Sequence, residues 1–281
     1  MLRGSPVVEP EPRAALSNRP EFSRPRVHLA GVLVDQIDLM GAVDQVRSFV
    51  ESGRAHQVVT VNLDFLTIAQ HEDAFCEALN HADLAVADGM PLVWASRLKG
   101  TPLVERVAGV DLFGECCAMA AEKAWAVFLL GAADGVADAA AHELTQRYPG
   151  LRVVGTYSPS NGPLSTEEDE RIVDMIRAAA PEFLFVALGA PRQDLWIREH
   201  LTELGVPVAM GVGCVFDLVA GSVTRAPTWM QRSGMEWAFR LIREPRRLWK
   251  RYLLNDLPFL ARMLMSLRGE PETTGELAVS A

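Results

Sequence analysis

From Val27 onward, short apolar or β-branched runs alternate with longer segments of helical period, and few architectures accommodate that order. The runs VHLAGVLVD, QVVTVN, DLAVAD, AVFLLG, LRVVGTY, EFLFVALG and VPVAMGVG read as strands. Between them, LMGAVDQVRSFVES, FLTIAQHEDAFCEALNHA, GVADAAAHELTQRYPG, TEEDERIVDMIRAAA and PRQDLWIREHLTELG carry the spacing of amphipathic helices. Strands that are apolar along nearly their whole length are buried on both faces, and crossover helices give that cover in a parallel sheet. The expectation is an α/β protein with a Rossmann-like, mainly parallel sheet and helices on both faces.

The character changes after Arg225. Arg225–Arg251 holds eight Lys and Arg against two Glu, with Trp229, Trp237 and Trp249 among them. Helical period resumes on either side of Pro245, a residue that breaks or kinks a helix. The chain therefore divides into a disordered proline-rich leader (1–26), a Rossmann-like domain (27–224), a basic, Trp-rich helical appendage (225–268) and a flexible tail (269–281). Basic residues beside tryptophans suit a membrane surface, where cations meet anionic headgroups and indoles sit at the interface; they suit a pyrophosphate equally. The alternative is a cationic face whose tryptophans pack on the main domain or on another subunit.

At 281 residues, 49% hydrophobic and 22% charged, the chain can bury a core and is too apolar for a disordered protein. Its net charge of -9 argues against nucleic acid as a partner. Cys76, Cys116, Cys117 and Cys214 lack CxxC spacing and a neighbouring histidine pair, so they read as reduced thiols of a cytoplasmic protein. The first residues interleave proline and charge, unlike a secretory signal. The apolar stretch Val206–Val223 is broken by Asp217 and by glycines, so any membrane contact is expected to be peripheral. With no DxD or HExxH motif and no histidine at ligand spacing from a partner, neither a metal nor a cofactor is expected.

Ligands of such sheets bind beyond the carboxyl ends of the strands, where helix N-termini offer amides to anions. Strands end in glycine there at Gly131, at Gly189, and at Gly211 with Gly213. Glycine lets the backbone approach a phosphate closely, although a tight turn without a ligand is the plainer reading of any single one. GVGCVF lacks the third glycine of a dinucleotide fingerprint. Asp88 follows the strand DLAVA and precedes Gly89, a placement that suits a general base or else an N-cap of the helix MPLVWASRL. Thr60 and Asn62 end the preceding strand and either reach the same crevice or satisfy loop backbone.

Together, TVNLDFLTIA, LAVADGMPLVWASRLKG, ERVAGVDL, FLLGAADGVADAAA, LFVALGAPRQDLWI, GVGCVFDLVAGSVTRAP and MEWAFRLIREPRR resemble the successive signature blocks of the WecG/TagA/CpsF glycosyltransferase family, in family order over about 27–251. The resemblance implies inverting, metal-independent transfer of N-acetylmannosamine, its uronic acid or glucose. The donor is a UDP-sugar and the acceptor an undecaprenyl-pyrophosphate-linked sugar, at the inner face of the plasma membrane, in teichoic acid or surface polysaccharide assembly. It places the general base on Asp88 and the family's threonine on Thr60, with Asn62 beside it. Arginines that meet the acceptor pyrophosphate fall on Arg240 and Arg247. A third basic position falls on Lys250, which keeps the charge without the bidentate fork. Arg106, Gln193 and Asp217 complete the polar crevice, with an ion pair holding loops as the alternative for Arg106 and Asp217. Self-association of family members adds a homo-oligomer to the implied partners.

An appendage that closes over the crevice only at the membrane predicts that truncation after Thr224 leaves a folded but inactive domain. The rival reading is a noncatalytic, membrane-associated nucleotide-sugar-binding protein that scaffolds polysaccharide assembly. Such a protein keeps the glycines and the basic appendage but has no need of Asp88, Thr60 and Asn62.

Overall fold

The computed structural model describes residues 24–160, 162–232 and 234–269. The chain opens in an antiparallel hairpin, β1 (Arg26–Leu29) and β2 (Val32–Asp35). This corrects the single strand expected over 27–35. Ala30 and Gly31 both adopt positive φ, 46° and 89°, which is the backbone of a two-residue hairpin turn. The leader expected over 1–26 lies, through residue 23, outside the described residues. Its last three residues belong to the fold, because Arg24 and Arg26 both bond the buried carboxylate of Asp35. That carboxylate also accepts the Ala85 amide at 2.8 Å and so ties the hairpin to the sheet.

The sheet follows: α1 (Leu39–Ser52), β3 (His56–Val61), α2 (Leu63–Ala69), α3 (Asp73–His81), β4 (Leu84–Ala87), α4 (Met90–Leu98), α5 (Gly109–Lys123), β5 (Ala126–Gly131), α6 (Val136–Arg147), β6 (Arg152–Tyr157), α7 (Thr166–Ala179), β7 (Phe183–Ala187), α8 (Arg192–Leu204) and β8 (Val208–Gly211). The six strands lie in the order β4-β3-β8-β7-β5-β6, every pair parallel. The helix expected over 65–82 is two helices, and α5, which the sequence reading did not single out, covers the middle of one face.

Alternate strand residues serve opposite faces, as the pleat requires. Val58, Leu129, Phe185 and Met210 pack under α1, α5 and α6, and under the short α9 (Val215–Val219). Val59, Val61, Ala85 and Ala87 face the hairpin, α2, α3 and α4, while Phe128, Leu184 and Ala209 face α7 and α8. Completely buried rings such as Phe113 and Phe185, edge to face at 4.6 Å, contribute about 1.5–3 kcal/mol each.

The C-terminal segment is helical: α10 (Thr228–Arg232), α11 (Glu236–Arg243), α12 (Pro245–Trp249), a π-helical stretch (Lys250–Asp256) and α13 (Leu257–Gly269). Gly234, in the turn before α11, stands so close to α4 that a Cβ there would lie 2.9 Å from Met90 and 3.1 Å from Trp94. The last helix returns to the main body, where Phe259 and Met263 are buried in the same hydrophobic cluster as Val27, Leu29, Leu92 and Ala95. Of the tail expected over 269–281, residues 270–281 lie outside the described residues.

Candidate active site

The parallel register brings β3 and β4 to a common end. Val61 pairs with Ala87, the Asp88 amide donates to the Val61 carbonyl at 2.7 Å, and Val107 continues the edge by donating to Ala87 at 2.9 Å. Chain turning from 107 into α5 sets Gly109 against both neighbours. A Cβ on Gly109 would lie 3.1 Å from Thr60 Oγ1 and 3.3 Å from Asp88 Oδ2. Thr60 and Asp88 therefore share one small space at the N-terminus of a 15-residue helix. Asp88 does not cap α4, whose N-cap is Gly89; its carboxylate accepts instead from the Gly109 amide. Burial pushes that carboxyl up to about 6, and Glu236 adds to the rise. The Gly109 amide, Arg106 and Arg240 oppose it. The result is a carboxylate largely ionised at neutral pH yet more basic than an exposed one.

Charges from the body and the appendage meet around this pair. Arg225 forks onto Asp111 of α5 at 2.6 and 3.0 Å, and Arg106 lies 3.9 Å from Asp111 and 3.4 Å from Glu236 of α11. Arg106 is thus in the ion-pair role weighed as its alternative, and its pairing also sets it beside Asp88. Arg240, on α11, donates to Cys214 Sγ at 2.7 Å. Burial disfavours its charge, but Cys214, Tyr252 and Glu236 more than compensate, so Arg240 is held firmly protonated. The sequence reading missed Gly109, Asp111, Arg225, Glu236, Cys214 and Tyr252 as members of this cluster. ERVAGVDL holds Gly109 and Asp111, GVGCVFDLVAGSVTRAP holds Cys214 and Arg225, and MEWAFRLIREPRR holds Glu236, but only the fold brings them to one place.

The remaining residues divide. Asn62 caps α2, its Oδ1 accepting the Phe65 amide at 3.1 Å. Gly131, at φ 112°, allows β5 to pass β7, since a Cβ would lie 2.6 Å from the Ala187 carbonyl carbon. Gly189 and Gly213, at φ 77° and 56°, adopt left-handed backbone, and a Cβ on either would meet nothing within 4 Å. Gln193 is buried and accepts the Gly213 amide on Oε1 at 3.0 Å. Asp217 is half-buried in the first turn of α9, and Lys250 is exposed, its ammonium 5.7 Å from the Trp249 ring centroid. Arg247 lies in α12, but its side chain is outside the described residues. Among the described residues no three His, Cys, Asp or Glu side chains group to hold a metal ion, and no helix is long and apolar enough to cross a membrane.

This arrangement offers a tuned carboxylate, glycine amides at strand ends and at least two arginines, which together suit proton abstraction beside a diphosphate. Residues 27–272 match the family described as Glycosyl transferase WecG/TagA/CpsF. The chain is 32% identical over 228 residues to an N-acetylglucosaminyldiphosphoundecaprenol N-acetyl-beta-D-mannosaminyltransferase of Staphylococcus aureus (strain MW2), spanning 80% of this chain and 86% of that relative. The enzymes of the same name from strains NCTC 8325 / PS 47 and COL match at the same identity and coverage.

Proposed function

The chain belongs to the WecG/TagA/CpsF glycosyltransferase family, and we propose from that premise that it transfers an N-acetylmannosamine-type hexosamine or a related hexose from a UDP-sugar to an undecaprenyl-diphosphate-linked sugar, with inversion. The observation that carries the reading is Asp88, set beside Thr60 and Gly109 at the carboxyl end of β4 with its carboxyl raised to about 6. The relatives' names supply the acceptor class, GlcNAc-diphosphoundecaprenol, and the transferred sugar.

In the transfer, Asp88 accepts the proton of the acceptor hydroxyl as its oxygen bonds the anomeric carbon, and the bond to the UDP oxygen breaks with both electrons leaving on UDP. Thr60 orients the hydroxyl or the donor within the shared space. The amides around Gly189 and Gly213 and the guanidinium of Arg240 meet charge on the diphosphates. The family resemblance assigns Arg247 and Lys250 to the acceptor pyrophosphate.

Peripheral contact with the membrane that carries the acceptor is supported by α11, whose residues are all at least partly exposed. Trp229, Trp237, Ile242 and Leu254 are exposed beside Arg243 and Lys250.

The test is UDP release from a panel of UDP-sugars with a lipid-diphosphate-linked GlcNAc acceptor, with and without anionic vesicles. We expect acceptor-dependent release from one donor, reduced about 10²–10⁴-fold in Asp88→Asn. Full release in that variant would reject Asp88 as the base, and no release from any donor would favour the scaffolding alternative.

A further inference from the structure

Beneath the crevice lies a carboxylate that the transfer does not use. Asp194, in the first turn of α8, is completely buried, and neither of its oxygens has a donor in hydrogen-bonding geometry. Gln57, on β3 and equally buried, donates Nε2–H to the Asp194 backbone carbonyl at 2.9 Å, while its own Oε1 also has no donor. Two acceptors left unsatisfied in one part of the core would each carry a desolvation penalty. A proton on Asp194 turns one carboxyl oxygen into a donor, which is what an unsatisfied acceptor such as Gln57 Oε1 lacks, and leaves the other oxygen free to accept from an amide. Gln193 Nε2 and Asp194 Oδ1 crowd the same point of β8, lying 2.5 and 2.6 Å from where a Cβ on Gly211 would sit. The other end of Gln193 holds the Gly213 amide at 3.0 Å.

We propose that Asp194 is a positioning residue, protonated towards Gln57, that fixes the Gly211–Gly213 turn through Gln193 and so shapes the donor side of the crevice. The positioning role rests on the reading that this turn meets the UDP-sugar.

Burial drives the Asp194 carboxyl up to about 7, with the Gln193 amide and its own backbone opposing the rise. The ionisable groups on the packed elements are engaged elsewhere. On β3, His56 stacks on Phe49 and pairs with Asp83; on α7, Asp169 holds Trp196 and His200; on α3, Asp73, Glu77 and His81 are exposed. β7 and β8 carry no ionisable side chain. On its own helix Arg192 keeps a buried guanidinium nitrogen without a hydrogen-bond partner, but what acts on the Asp194 carboxyl is burial, the Gln193 amide and its own backbone.

The experiment measures donor KM and kcat from about pH 6 to 9 for the full chain, Asp194→Asn and Asp194→Ala, with infrared difference spectra of wild type against Asp194→Asn. The Asn amide reproduces the proton's donation to Gln57. We expect wild-type KM to rise about fivefold above neutral pH with kcat little changed, Asp194→Asn to keep the low KM throughout, and Asp194→Ala to show the raised KM at every pH. A protonated-carboxyl band should appear in the wild type below neutral pH. An absent band overturns the proposal whatever the activity, and Asp194→Asn as impaired as Asp194→Ala overturns the positioning role. If no UDP-sugar turns over, the reading of the site is at fault, and the infrared band alone then decides the protonation of Asp194.

Discussion

As the proposed base, Asp88 has to be ionised to accept a proton and basic enough to keep it, and its position between Gly109, Arg106, Arg240 and Glu236 suits both conditions. A base that titrates at about 6 gives a rate that climbs with pH below that value and levels above it. The pH profile of kcat/KM should show that acid limb, and Asp88→Asn should lose it. The same burial has a stability consequence. The native state binds more protons than the unfolded chain between the ordinary value of 3.8 and about 6, so stability attributable to Asp88 falls as pH rises through that window. Gly109 is the more delicate residue. A Cβ at 3.1 Å from Thr60 Oγ1 and 3.3 Å from Asp88 Oδ2 forces both oxygens to yield, so Gly109→Ala should lower kcat about ten- to a hundredfold with little change in melting temperature. An unchanged kcat would show that the two oxygens are not poised together.

Among the elements, the π-helical stretch is joined to α2 by Arg251, whose guanidinium reaches Asp64 at 2.5 Å and whose charge also bears on the buried Asp256. Burial raises both carboxyls, Asp256 to about 6, and Arg251 opposes the rise in each. Removing that cation leaves two carboxylates facing one another. Arg251→Ala should therefore lower the melting temperature at pH 8 and do so much less near pH 5, where Asp256 takes up a proton; an equal loss at both would assign the effect to packing. The element map also marks the reach of sequence reasoning. The continuous apolar strands announced the parallel sheet because burial on both faces writes itself into every position. The turn at Ala30 and Gly31 was hidden, since an alanine in left-handed backbone carries no turn signal of its own. The break between α2 and α3 was hidden too, because Gln70, His71 and Glu72 are residues a helix accepts and no glycine or proline marks the turn. Asp88 and Thr60 were legible as strand-end polar residues, whereas Cys214, Glu236 and Tyr252 acquire meaning only when the fold sets Arg240 among them.

At the scale of the whole molecule, the boundary in composition at Arg225 is not a boundary in packing. Arg225 itself is locked to Asp111, and Phe259 and Met263 close the core over the hairpin and α4. Full burial of two such side chains contributes about 3–6 kcal/mol, a large share of the 5–15 typical of a folded domain. Truncation after Thr224 should therefore yield a chain without a cooperative thermal transition, in place of the folded but inactive domain that composition suggests. A sharp transition at the wild-type temperature would contradict this. The same closure orders events during synthesis. The ribosome releases Val27 and Leu29 early and Phe259 and Met263 more than two hundred residues later, yet the four share one cluster. A nascent chain can pair its hairpin and lay down most of its sheet, but the apolar floor under α4 stays open to solvent, and to chaperones, until Phe259 and Met263 have left the ribosome.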